Sequence, residues 1–405
     1  MTYPTENETF TGVRQPEAGR DPGLARRRLL YGLGAAAMTP LLASCVRVGA
    51  AAPPTAASSN RILAVPRIAR VSRPGGTVHR TGFPITTIGI NWTGPGEGVK
   101  VRLYDRKGRP SAWEDVRAGC PCGVDGRPNS PSAPLPTRAF VPGRNSFGYQ
   151  IDAPADVDIV DATAVNGGPA PAPGPEQTVP QPSGSSVLAR IGPAVVPFPP
   201  EDLLRRADWG ADESKRFGPD GREISPPRFF PVQNLTVHHT VTANDDPDPA
   251  ATVRAIYALH TTGNGWGDIG YHFLVDARGR VYEGRWSGQD AIPAHDSHRD
   301  AVVGFHTVGF NAGNIGIALL GDFTKAPPPP AMRRSLTRLL ASLAQLHRLD
   351  PREAITYRNP LDGKSKRGMT LGGHRDWTAT ECCGDLAYRV LPGVRADVGK
   401  LLTAA

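Results

Sequence analysis

Two residues near the C-terminal end, His374 and Cys382, constrain this chain more than any other feature. They are eight residues apart, a separation that does not fit one face of a helix but fits a loop that returns on itself. A neutral imidazole and a thiolate both bind zinc well, yet two ligands do not make a site. The pair therefore predicts a third ligand elsewhere in the chain.

The best candidate segment for that ligand is the apolar run 235–240, which predicts a buried strand ending in His238 and His239. Two histidines and one cysteine would leave the fourth position of a tetrahedral zinc open to water. An open position is typical of a catalytic site rather than a structural one. The alternative is that both histidines are ordinary core or surface residues.

Composition indicates the number of domains and the class of partner. The chain has 405 residues, with 46 glycines and 42 prolines, which predicts two domains joined and flanked by long loops or linkers. The formal charge of +8 favours an acidic polymer: nucleic acid, anionic lipid or an acidic cell wall. No nucleic-acid motif accompanies the charge, so we predict no nucleic-acid partner.

Residues 1–50 are interpreted as a signal region of the twin-arginine type. Arginines 26–28 precede an apolar run to Leu42, which is shorter than the roughly 20 residues that span a bilayer. The segment 42–45 resembles a lipoprotein box, so we expect lipidation of Cys45 and attachment to the outer face of the cytoplasmic membrane. The alternatives are cleavage after Ala50, giving a secreted protein, and an uncleaved N-terminal anchor.

Four further regions follow the signal: a tether at 51–60, a β-sandwich-like domain at 61–165, a Pro/Gly-rich linker at 166–200 and a second domain at 201–405. In the first domain, short alternating runs separated by turn residues predict strands. Trp92, Tyr104 and Trp113 are either carbohydrate-stacking residues or core residues. In the second domain, strands alternate with helices, including one that begins after Asp248. This pattern predicts an α/β fold, with a mixed central sheet flanked by helices.

Five blocks in the second domain together resemble the zinc amidases that include phage lysozyme-type amidases and peptidoglycan recognition proteins. The match covers a little under half of the chain, from about residue 206 to 391. The blocks are residues 206–211, 238–240, 265–273, 314–323 and 373–385.

The resemblance implies the type 2 amidase fold and a Zn²⁺ cofactor held by His238, His374 and Cys382, with His239 pointing to the other face of its strand. It also implies Tyr271 and Thr380 as the catalytic residues; some relatives carry lysine in place of this threonine. The implied reaction hydrolyses the amide between N-acetylmuramic acid and L-alanine, with peptidoglycan as the partner. Further residues are expected to orient the ligands or hold their loop: His272, Asp376 and Arg375.

One departure from the family pattern is Cys383, where relatives usually carry proline. Two adjacent thiols can compete for zinc or form a disulfide that removes Cys382 from the metal. Cys120 and Cys122 are interpreted as a weak metal pair or as part of a loop disulfide, and the pairing of the remaining cysteines stays open. The rival functions are a non-catalytic peptidoglycan receptor on the same fold and a structural wall-anchoring lipoprotein.

Overall fold

The structure is a computed structural model, and it describes residues 66–95, 97–118, 137–168, 203–288 and 292–404. Several predicted features lie outside these residues: the signal region, the tether, most of the linker, and the cysteines at 45, 120 and 122. Among the helices of the described part, none is both long and apolar enough to cross a bilayer.

The first described region is entirely β. Its strands are β1 (Arg67–Ser72), β2 (Val78–Thr93), β3 (Lys100–Tyr104), β4 (Glu114–Asp115), β5 (Thr137–Asp152) and β6 (Asp158–Asn166). They form one antiparallel sheet in the order β1-β6-β2-β5-β3-β4. Register shifts within β2 mark irregularities where an antiparallel sheet can bend. The predicted domain was sandwich-like, and in the described residues its strands lie in one hydrogen-bonded sheet.

The second region is built on a mixed six-stranded sheet. Its strands are β7 (Leu203–Leu204), β9 (Asn234–His239), β10 (Phe273–Val275), β11 (Val281–Glu283), β13 (Asn314–Leu319) and β16 (Leu371–Gly373). They lie in the order β16-β9-β13-β10-β11-β7, and all pairs are parallel except the β10–β11 hairpin. Two small ribbons pair β8 (Phe229–Phe230) with β12 (Ala301–Val302), and β14 (Ala354–Arg358) with β15 (Ser365–Met369).

Helices flank this sheet and confirm the predicted α/β class. They are α1 (Arg206–Trp209), α2 (Pro249–Ala258), α3 (Pro330–His347) and α4 (Asp385–Ala404), with a π-turn at Leu259–Gly263 after α2. Helix α2 begins as predicted, because the Asp248 carboxylate accepts a hydrogen bond from the Ala251 N–H at 3.1 Å. Leu336 and Leu340 of α3 lie in the same core cluster as Ile317 of β13, so the helix buries its apolar stripe against the sheet.

The three aromatic candidates of the first region differ in exposure. Trp92 and Tyr104 are buried, as the core interpretation predicts. Trp113 is 38% exposed, with the Arg102 guanidinium 4.6 Å from the centre of its ring. A stacking role therefore stays a prediction for Trp113 alone.

The two regions are joined by a buried arginine of α2. The Arg254 guanidinium donates to the carbonyl oxygens of Gly167, Gly168 and Trp209 at 2.6, 2.8 and 2.8 Å. Gly167 follows β6, and a Cβ there would clash with the Ala251 carbonyl oxygen. This close backbone approach and the 2% exposure of Arg254 make the contact a tightly packed one.

We expect Arg254→Met to lower the free energy of unfolding by about 3 kcal/mol, because three carbonyl oxygens, two of them in buried contacts, lose a charged donor. Urea unfolding measures the change. The control is Arg334→Met, on the exposed side of α3, which we expect to change stability by less than about 0.5 kcal/mol. Similar losses in both variants would show that Arg254 has no special role in joining the regions.

Candidate metal centre

Strand register brings the two predicted histidine ligands together. Strand β16 is parallel to β9, with Gly373 opposite Val237, so the next residues, His374 and His238, leave the same edge of the sheet side by side. Their ring centres are 4.5 Å apart. Carboxyl ends of parallel strands meet at one edge, which is why residues 136 positions apart become neighbours.

Cys382 completes the cluster from the loop that precedes α4. One potential ligand atom from each of His238, His374 and Cys382 lies within 4.8 Å of the others. The Cys382 Sγ is 3.8 Å from the His238 Nδ1. A tetrahedral zinc with ordinary bond lengths separates a sulfur and a nitrogen ligand by roughly 3.6 Å, so these donors fit that ion.

His306 holds the His238 ring in one tautomer, and sequence reasoning missed it. The His306 Nε2 lies 3.0 Å from the Asn314 carbonyl oxygen, which can only accept, so this nitrogen donates. In a neutral ring, the His306 Nδ1 then accepts, both from the His238 Nε2 at 3.0 Å and from the Thr307 hydroxyl at 2.9 Å. The His238 Nδ1 therefore carries the lone pair, on the side that faces Cys382.

The His306 ring reaches this position because β13 has a glycine beside it. A Cβ at Gly316 would lie 2.5 Å from the ring carbon Cγ. His306 is separated from His238 by 68 residues and stands in a loop without periodic pattern. A histidine in this Gly-rich segment was the available signal, but nothing in its spacing pointed to a ligand.

Thr378 makes the corresponding contact to the second histidine. Its Oγ1 is 2.9 Å from the His374 Nε2. The residue lies four positions after His374, in the turn that leads back to Cys382. Both imidazoles are thus held through Nε2 by a neighbouring polar group.

Burial keeps the donor groups neutral when no metal is bound. It lowers the pKa of His238 well below its usual value, with nearby His374 and His306 adding to the effect. Burial likewise lowers the pKa of His374 to about 3. The pKa of the Cys382 thiol is raised well above its usual value by burial and by the adjacent Cys383. A dication at this point would displace the thiol proton and offset the cost of the buried charge.

The two residues predicted to be catalytic lie beside the cluster. The Tyr271 ring centre is 5.4 Å from that of His238, and burial raises the pKa of the phenol, which keeps it protonated at neutral pH. The Thr380 hydroxyl accepts a hydrogen bond from the Cys382 backbone N–H at 3.2 Å. Both are near the proposed ligands, while their catalytic roles remain predictions.

The neighbours of the proposed ligands behave differently from one another. The His239 Nδ1 accepts from the Phe323 N–H at 3.3 Å. His272 contacts backbone groups through both nitrogens, the Gly316 N–H and the Val302 carbonyl, so it does not orient a ligand directly. Asp376 does position the loop, because its carboxylate accepts from the Gly373 N–H at 2.8 Å.

The remaining loop residues keep Cys382 in place. Cys382 and Cys383 are both buried free thiols, so the disulfide alternative between them is not found. Arg375 donates to the carbonyl oxygen of Cys382 and pairs with Asp385 at 2.7 Å, as expected of a residue that holds the loop.

Comparisons with known proteins assign the second region to a family. The model of the N-acetylmuramoyl-L-alanine amidase family matches residues 228–385, which contain all three proposed ligands. A peptidoglycan-recognition protein of Drosophila simulans is 32% identical over 166 residues, covering 40% of this chain and 75% of that protein. The chain belongs to this family of amidases and peptidoglycan-recognition proteins.

Other members of the family differ in length and in name. The human N-acetylmuramoyl-L-alanine amidase is 32% identical over 167 residues, 40% of this chain, and the match spans only about a quarter (24%) of the human protein. Among solved structures, the N-acetylmuramoyl-L-alanine amidase LysC of Clostridium intestinale is 26% identical, with a TM-score of 0.31, covering 43% of this chain and 91% of that one. The human amidase and the Drosophila recognition protein thus show that similar proteins are named both for hydrolysis and for recognition.

Proposed function

We propose that the protein is a zinc-dependent hydrolase of the amide bond between N-acetylmuramic acid and L-alanine in peptidoglycan. The observation that carries the proposal is the complete donor set of His238, His374 and Cys382 beside a protonated Tyr271. A receptor that only binds peptidoglycan needs neither the thiol nor the ordered tautomer of His238. The full set therefore favours catalysis over recognition.

Zinc at these three residues would supply a Lewis acid and lower the pKa of a water molecule. The protein's part is to hold the His238 ring in the metal-binding tautomer through His306, and to orient the His374 ring through Thr378. Tyr271, kept protonated by burial, can donate a hydrogen bond to the oxygen that becomes negative as the amide is attacked. Thr380 cannot supply a positive charge, so the neutral phenol bears more of this task.

The test uses the full chain, its zinc content and the products of peptidoglycan digestion. We expect about one zinc per chain and the release of stem peptides that begin with L-alanine, identified by mass spectrometry. Binding to peptidoglycan without release of peptides would instead support the receptor function. A protein without zinc that releases nothing and binds nothing would contradict both.

The orientation of His238 gives a prediction of its own. We expect His306→Ala to weaken zinc binding about 10- to 100-fold, because the His238 ring loses the acceptor that fixes its tautomer. Competition with a chromogenic chelator measures the affinity. The control is His298→Ala, in an exposed turn, which should leave zinc affinity unchanged. An unchanged affinity in both variants would exclude the orienting role.

We also propose that the protein is exported and anchored through a lipid on Cys45, with peptidoglycan as its extracellular substrate. The proposal is supported by the paired arginines, the short apolar run and the lipoprotein-box-like segment. Mass spectrometry of the N-terminal peptide from cells distinguishes the outcomes. A lipidated cysteine supports the proposal, and a terminus after Ala50 supports secretion instead.

A further inference from the structure

The sheet of the first region brings polar and aromatic side chains together where β2 begins. Strands β2, β5 and β3 lie side by side there, and register places Arg80 and Tyr104 on either side of Gly148. Two residues further along β5, Gln150 lies opposite Arg102. Side chains paired across strands project from the same face of a sheet. Two arginines from different strands therefore share one face.

Arg102 is held in one orientation on this face. Its Nε donates to the Gln150 Oε1 at 2.8 Å, and the Tyr104 hydroxyl donates to the same oxygen at 2.8 Å. The guanidinium also packs against Trp113, whose ring centre is 4.6 Å away. The hydrogen bond to Gln150 uses only Nε, which leaves the N–H groups of the two terminal nitrogens for a ligand.

Arg80 approaches the same tyrosine from β2. Its guanidinium lies 5.9 Å from the centre of the Tyr104 ring, and that of Arg102 lies 5.5 Å from it. Gly108 makes room for this contact, since a Cβ there would lie 2.5 Å from a terminal nitrogen of Arg80. The fold thus brings two like charges onto one aromatic ring. We call Arg80, Arg102, Tyr104 and Trp113 the arginine face.

The two cations of the arginine face have no carboxylate partner among the described residues. Nearby carboxylates are matched elsewhere: Asp105 accepts from the Arg109 Nε at 2.7 Å, and Glu114 accepts two hydrogen bonds from Arg144. The next cation along β3, Lys100, lies opposite acidic residues of both neighbouring strands. The unmatched positive charge is therefore confined to the arginine face.

This face is also separate from the contact with the family domain. On β2, Gly89 packs against Leu259 of that domain, since a Cβ at Gly89 would lie 2.6 Å from a methyl carbon of the leucine. Nine residues of strand separate Gly89 from Arg80, a distance on the order of 30 Å. A ligand on the arginine face therefore does not need the metal centre.

The chemistry of the face favours one class of polymer. A guanidinium matches a carboxylate through two parallel N–H donors. Trp113 is 38% exposed, and the apolar C–H side of a sugar ring can pack against such a flat ring. Binding to single-stranded nucleic acid uses a longer row of cations along the phosphate backbone, and insertion into lipid uses a larger apolar surface. Two guanidinium groups beside one tryptophan therefore fit an acidic polysaccharide best.

We propose that the arginine face binds an acidic polysaccharide, one whose sugars carry carboxylate groups. Arg80 and Arg102 bind carboxylates of the polymer, and Trp113 packs against a sugar ring between or beside them. The inference uses neither zinc nor the proposed reaction, so it stands or falls independently of the proposed function. The first region thus attaches the protein to an acidic polymer, and the metal centre remains available.

The test compares polygalacturonate with its methyl ester, which has the same sugar backbone without the charges. Biolayer interferometry measures binding of the full chain to each immobilised polymer at physiological salt. We expect polygalacturonate to bind about tenfold or more tightly than the ester, and Arg80→Gln to weaken its binding about tenfold. Arg80 is exposed, so this variant should fold normally. The control, Arg334→Gln, removes the same charge from the exposed side of α3 and should keep the affinity.

A second variant separates a built site from attraction by net charge. Trp113→Ala leaves the charge unchanged, and we expect it to weaken binding to polygalacturonate about tenfold through the loss of ring packing. Single-stranded DNA and vesicles containing phosphatidylglycerol are measured in parallel and should bind more weakly than polygalacturonate. Absence of binding, equal binding of the ester, equal losses in Arg80→Gln and Arg334→Gln, or tighter binding to DNA or vesicles would overturn the inference.

Discussion

Cys382→Ala is expected to reduce zinc from about one per chain to less than about a tenth, and to lower peptidoglycan hydrolysis on the order of a thousandfold or more. The thiolate is the anionic donor of the proposed set. Without it, two neutral imidazoles must hold a dication in a buried site, where an uncompensated charge is costly. Elemental analysis and release of stem peptides measure the two effects.

The adjacent thiol supplies a matched control. Cys383 is buried like Cys382, but it is not part of the three-residue cluster. Cys383→Ala removes the same side-chain atoms at the next position. Because Cys383 is outside the cluster, we expect this variant to keep its zinc and most of its activity. If the two alanine variants instead exchanged these outcomes, Cys383 would be the ligand and the loop assignment would be wrong.

Tyr271→Phe is expected to lower kcat about 100- to 1000-fold while zinc content and substrate affinity stay nearly constant. The change removes only the phenol oxygen, which is the donor proposed to stabilise the developing negative charge. A donor that acts mainly in the transition state affects kcat more than KM. Steady-state kinetics on a soluble muropeptide separate the two constants.

The control for this variant is Tyr257→Phe. Tyr257 is also a buried tyrosine, but its hydroxyl donates to the Asp212 carbonyl at 2.8 Å. We expect this variant to lose some stability and to keep its kcat. Equal kcat values for Tyr271→Phe and the unaltered protein would remove the phenol from the mechanism.

The elements of the metal centre are predictable from the chain because each has a local signature. An apolar run ending in two histidines predicts β9, and its buried residues confirm that it is an interior strand. The spacing of His374 and Cys382 predicts a returning loop, which the structure contains. Hydrophobic periodicity likewise predicts α3 and its leucine stripe, since a helix buries one face.

Contacts between distant segments have no such signature. The His306 ring accepts a hydrogen bond from His238 through Nδ1 and donates one to the Asn314 carbonyl through Nε2. Both contacts depend on strand register and on the absence of a side chain at Gly316. His272 is expected from its position in the chain to orient a ligand. In the fold, both of its nitrogens meet backbone groups instead, because β13 passes beside it.

The amino-acid sequence by itself determined the donor types, the strand that carries His238 and the apolar faces that build an α/β core. These features follow from side-chain chemistry and from periods of two and 3.6 residues, which are local properties. Only the tertiary structure decided which tautomer His238 adopts and which strand supplies Gln150 to hold Arg102. The tautomer and the Arg102 contact both depend on hydrogen-bond distances and packing between segments that are far apart in the chain. These segments come together only when the chain folds.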